Sequence, residues 1–265
     1  MRPHRSGHRF SPRNCPCLFV YWYAIAGSKI RPLHSLNFKL CRGFLIDCNC
    51  YNNPRMLFNI IFSSPNILTG LLIFVLVAVA LIISLSFHEF AHAYVANKLG
   101  DSTAKLMGRV TLDPRAHLDP TGTLLLLLVG FGWGKPVPIN PINLKNQKRD
   151  TAIIAFAGPA SNILLAILFS LFYHLVLPVI GGGLLSIFVE LVVKYNLILA
   201  IFNLLPVNPL DGFKVVHGLL PEELSYQWIQ MARYGVWILL FLILTGMTER
   251  IIFPLLGLGL SLLGF

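Results

Sequence analysis

Four long stretches of this chain carry few charged side chains, and they fix how the rest is read. Residues 67–87 are uncharged over 21 positions. As a helix they rise about 30 Å, enough to cross a bilayer and deliver His88 near one boundary, here side X. The helix continues through residues 88–95 and stops at Gly100, where glycine suits a C-cap. Residues 123–134 are apolar, glycine-rich and too short to cross, which predicts a re-entrant or strand-like element buried within protein and leaves the chain on side X. A second span over 151–177 is interrupted early by Gly158-Pro159, and Gly181-Gly182-Gly183 turns the chain on side Y. A third span, 184–205, returns to side X, where Pro206, Pro209 and Gly212 break the helix around Asp211. A fourth, 227–246, leads to an apolar tail, 251–265, that is too short to span and whose placement is open. The expected fold class is an all-α polytopic membrane protein with about four to six transmembrane helices and a short re-entrant or β-like segment near the active site. In this threading His88 and Asp211 arrive at the same membrane face.

Composition agrees with the pattern. Hydrophobic residues make up 55% of 265 and charged residues 12%, with mean hydropathy +0.71. The formal charge of +10 is unevenly spread: residues 1–55 hold nine Lys or Arg against Asp47 alone, and the remainder is nearly balanced. That distribution argues against nucleic acid as a partner. Residues 1–55 also hold all five cysteines: Cys41 alone, and Cys15/Cys17 and Cys48/Cys50 in one-residue-gapped pairs tighter than the usual zinc knuckle. The expectation is a basic, disordered extension or a start codon placed too early, with Met56 as the start and 56–265 as the functional domain. Lys98, Lys105, Arg109, Arg115, Lys135, Lys145, Lys148, Arg149 and Lys214 all fall on side X. The positive-inside rule then makes X cytoplasmic, giving a multi-pass cell-membrane protein with its active site towards the cytoplasm.

The sequence His88-Glu89-Phe90-Ala91-His92 closes the first span. On a helix two histidines four apart lie on one face and can share one Zn²⁺, while the adjacent glutamate can take a proton from water. A catalytic zinc needs a third protein ligand. Asp211, in a Pro- and Gly-bounded loop against an apolar helix, is the candidate, since an unpaired carboxylate there is costly. From the loop alone, a solvated turn aspartate is the other reading.

These residues carry a resemblance. His88-Glu89-Phe90-Ala91-His92, Gly158-Pro159-Ala160-Ser161-Asn162 and the stretch from Asn203 through Asp211-Gly212 resemble the three signatures of the site-2 protease family of intramembrane zinc metalloproteases. The intervening Gly108-Arg109, His117-Leu118-Asp119-Pro120 and Gly132-Trp133-Gly134-Lys135-Pro136 are similar to its compact bacterial members without a PDZ domain. The resemblance implies a zinc endopeptidase that hydrolyses peptide bonds of transmembrane protein substrates within the lipid bilayer. It implies His88, His92 and Asp211 as metal ligands and Glu89 as general base. Asn162 and Asn203 match motif asparagines that hold substrate backbone or stabilise an oxyanion, or else form buried packing bonds. His117 stands as an auxiliary ligand, a substrate contact or a capping residue; His174 and His217 read as interfacial. Phe213 departs from the family pattern, where many relatives have a second glycine after Asp-Gly. The alternative from another class is a non-proteolytic membrane metal-binding protein or transporter using the same ligands.

Overall fold

The computed structural model describes residues 66–129 and 132–265; the basic cysteine-containing stretch 1–55 and Met56 lie outside them. Helix α1 spans Ile67–Lys98. Asn66 starts it by accepting the Thr69 amide and hydroxyl, each at 2.8 Å, and Gly100 ends it at φ 111°, a conformation that favours glycine. Two short helices, α2 (Thr103–Leu106) and α3 (Pro114–His117), precede α4, Pro120–Val129. Where the sequence leaves re-entrant and strand-like forms open for 123–134, the chain forms this ten-residue helix and then an extended run. Among the described residues its β character is one isolated antiparallel bridge, Leu118 to Gly134.

Helix α5, Gln147–Leu175, is capped by Asn146, whose side chain accepts the Arg149 amide while its own amide donates to Asp150. It runs unbroken through Gly158-Pro159 rather than being interrupted there. After α6 (Leu177–Ile180) and the glycine turn, α7 (Gly183–Asn203) returns. Helix α8 (Asp211–Leu219) begins immediately after the proline-rich loop. The fourth span combines α9 (Glu222–Gln230), a 3₁₀ turn and α10 (Gly235–Leu244), and α11 (Met247–Leu262) closes the chain. Among the described residues, four helical segments are long and apolar enough to cross a membrane: Ile67–Lys98, Gln147–Leu175, Gly183–Asn203 and Glu222–Leu244.

Helices α1, α5 and α7 form the heart of the molecule. Val77 and Ala80 of α1 pack on Leu191 and Val192 of α7, and Ala166 of α5 meets Val193 and Leu197. The small side chains let the helix backbones approach closely, the main source of cohesion where lipid competes for apolar contact. Their opposite faces expose leucine, isoleucine and phenylalanine, as at Leu68, Leu71, Phe156 and Leu164, which suits hydrocarbon rather than water. The tail left open by the sequence is α11, held by Leu256 and Leu260 against α7 and α5.

Asp101 ties the loops at the polar end together. Fully buried, it accepts the Asn140 amide at 2.7 Å, Asn143 Nδ2 at 2.8 Å, and the amide and hydroxyl of Thr103. Burial alone would raise its pKa, but these donors outweigh it and hold the carboxyl below the usual carboxylate range.

Candidate metal centre

His88 and His92 occupy one face of α1 a turn apart, both buried, and Asp211 opens α8 opposite them, also buried. Three atoms converge: His88 Nε2 and His92 Nε2 lie 3.1 Å apart, and each lies 3.1 Å from Asp211 Oδ2. The outer nitrogens are already engaged. His92 Nδ1 is 2.7 Å from the Ile154 carbonyl, which can only accept, so that nitrogen carries the proton. His88 Nδ1 is 2.6 Å from Asn162 Oδ1 and donates to it. In the neutral imidazoles both inward Nε2 atoms are then lone-pair donors, facing each other and a carboxylate oxygen. Three electron-rich atoms at this spacing repel unless a cation lies among them.

The set fits zinc. Donors at about 2.0–2.1 Å from a tetrahedral ion are about 3.3–3.4 Å apart, close to the separations here, and three protein ligands leave a fourth position for water or substrate. Imidazoles whose other ring nitrogen is bound to a fixed oxygen are the usual form of zinc-ligating histidine.

The sequence builds this locally through two glycines. A methyl group added to Gly158 would stand 2.4 Å from His92 Nε2 and 2.6 Å from His88 Cε1, so α5 can pass the imidazoles only with a bare Cα there. Gly158→Ala is expected to lower zinc affinity and to cost about 1–3 kcal/mol of stability. Metal titration and thermal melting check this, and parent values in both would remove the clearance role. Gly212 does the same for α8: an added methyl would lie 2.3 Å from the Leu204 carbonyl oxygen. Phe213, beside it, is buried and stacked on Trp228 with ring centroids 5.1 Å apart, and the Trp228 indole donates to the Phe213 carbonyl at 3.0 Å. The departure from a second glycine thus anchors α8 to α9.

Glu89 follows His88 on α1 and is half-buried, with the Val137 backbone amide donating to its carboxylate. Lys214 Nζ is also 3.9 Å from Asp211 Oδ1. Other candidate residues fall in different places. Asn162 is fully buried behind His88. Asn203 lies in the last turn of α7 and donates to the Leu199 carbonyl at 2.9 Å. His117 is fully buried in α3 and outside the metal-ligand group, its Nε2 2.7 Å from the Thr111 carbonyl, and burial lowers its pKa below the usual value. His174 meets the Leu263 carbonyl, and His217 meets the Ser225 hydroxyl. Two residues that the sequence reading passed over, Ser84 and Asn196, join Asn162 in a buried polar group. Asn196, an amide well inside an apolar span, was the available signal.

Comparison with known proteins finds relatives of this sequence. The profile of peptidase family M50 matches residues 76–181. YwhC of Bacillus subtilis, named as a candidate zinc metalloprotease, is 38% identical over 188 residues, covering 68% of this chain and 85% of its own length. Rip2 of Mycolicibacterium smegmatis, named likewise, is 28% identical over 192 residues, covering 69% and 72%. A similarly named protein of Methanocaldococcus jannaschii is 31% identical over 159 residues, covering 59% and 75%. No solved structure matches.

Proposed function

The chain belongs to peptidase family M50, and from that premise we propose that it is an intramembrane zinc metalloprotease that hydrolyses peptide bonds of membrane-embedded protein substrates. The observation that carries the reading is the buried triangle of His88 Nε2, His92 Nε2 and Asp211 Oδ2, with both Nδ1 atoms committed to fixed oxygens at the end of an apolar span. His88, His92 and Asp211 hold the metal. When bound, zinc supplies Lewis-acid chemistry, acidifying water and polarising the scissile carbonyl. Glu89 takes the proton of the attacking water and returns it to the leaving amine. The Val137 amide donates to that carboxylate. A substrate helix hides its carbonyls in internal hydrogen bonds, so a cleavable segment must unwind beside Glu89.

The ligand-bearing end of α1 shares its membrane face with Lys98, Lys105 and Lys214, which orients the site to the cytoplasm by the positive-inside rule. A cysteine placed at exposed Leu106 should be labelled from that face, and labelling from the opposite face alone would reverse the orientation.

The proteolytic reading is tested with the full chain in vesicles containing a single-span protein substrate. Cleavage should cease on zinc chelation and return with added zinc. Unchanged cleavage under complete chelation, with zinc removal verified by elemental analysis, would exclude zinc-dependent catalysis.

A further inference from the structure

For His88 to offer Nε2 to a metal, Asn162 must present its oxygen and not its nitrogen to Nδ1. An amide can turn end for end with little change of shape, so something has to choose. The choice is made two contacts away. The Val192 carbonyl, 2.8 Å from Asn196 Nδ2, accepts only, so Asn196 must place its NH₂ there and turn Oδ1 towards Asn162. The second Asn196 N–H donates to Ser84 Oγ at 2.8 Å, and that hydroxyl donates to the Ala80 carbonyl at 2.8 Å. Asn162 Nδ2 then donates to Asn196 Oδ1 at 2.7 Å and to the Ser84 carbonyl at 3.1 Å. Its Oδ1 is left for His88. Each amide and hydroxyl hydrogen in this group has an acceptor, and Ser84, Asn162 and Asn196 are all 0% exposed. Reversing either amide would set N–H against N–H or oxygen against oxygen, in a dry environment where such errors are costly.

We infer that Asn196 and Ser84 are positioning residues of the metal centre: through Asn162 they hold His88 in its Nδ1–H form with Nε2 turned towards His92 and Asp211. Neither residue touches the ligand atoms. The inference rests on the zinc reading above and extends it to α7, which supplies no ligand but fixes the hydrogen-bond polarity of one. A role limited to tying α1 to α7 would change stability and leave metal affinity alone.

The test is zinc affinity by chelator competition on the purified full chain. The variants are Asn196→Leu, Ser84→Ala, Asn162→Leu and the Asn162→Leu/Asn196→Leu pair, with Ser170→Ala as a packing control. Ser170 donates to the Leu263 carbonyl at 2.8 Å and belongs to another contact. Asn196→Leu should weaken zinc binding about ten- to a hundred-fold, as outer-shell changes commonly do. Ser84→Ala should shift it less in the same direction, the double variant should bind no more weakly than Asn162→Leu alone, and Ser170→Ala should leave affinity unchanged. Parent affinity in both Asn196→Leu and Ser84→Ala, or losses that add in the double variant, would overturn the inference. If Asn196→Leu does not fold, Ser84→Ala decides by the same criterion. A parent chain without zinc affinity would sink the metal-centre reading and this inference together; a parent that binds, with variants that match it, would sink the inference alone.

Discussion

Glu89→Gln should slow peptide hydrolysis by about two to four orders of magnitude, the usual worth of a positioned general base, while the protein keeps about one zinc per chain. Glutamine has nearly the same shape and still accepts a hydrogen bond through its carbonyl oxygen, so the ligands should be undisturbed. What it lacks is the basic carboxylate that takes a proton from water. Turnover in vesicles and zinc content on the same preparation give the two readings. A membrane metal carrier built on the same ligands would tolerate this substitution, so full function in the variant would favour that class. Loss of zinc together with activity would instead make Glu89 part of the metal-holding structure.

Asp211→Ala should weaken zinc binding by more than about a hundred-fold. Outer-shell partners of zinc ligands already account for ten- to a hundred-fold, and Asp211 Oδ2 lies directly on both imidazole nitrogens at 3.1 Å. Removing it leaves two neutral ligands and takes away the only negative charge among the three donors. Activity should fall with occupancy and recover in part at high zinc, which separates this variant from Glu89→Gln, where added metal should restore nothing. Parent affinity in Asp211→Ala would take the carboxylate out of the centre and return it to the role of a turn residue.

Much of this was legible in the sequence because two signals were unusually simple. Apolar length alone places α1, α5 and α7, and their threading brings His88, His92 and Asp211 to one membrane face. Gly158-Pro159 was harder. In an aqueous protein that pair breaks a helix; within α5 the lost donor at Pro159 is tolerated by surrounding helices, and the glycine gives the imidazoles clearance. The tail could not be placed from its length, since its position depends on Leu256 and Leu260 meeting a groove formed by other helices. Asn162 was visible as a motif residue, yet which of its atoms faces His88 depends on Asn196 and Ser84, from two separate helices. No periodicity in one segment encodes such a contact. Phe213, a departure from pattern in the sequence, makes sense only beside Trp228, fifteen residues further along.

X-ray absorption at the zinc edge on the purified full chain tests whether one zinc ion is held by two imidazoles and a carboxylate. The expected result is about one zinc per chain, two imidazole ligands, and nitrogen and oxygen donors at about 2.0–2.2 Å with no sulfur. A sulfur shell at about 2.3 Å, fewer than two imidazoles, or a folded chain free of zinc would contradict it.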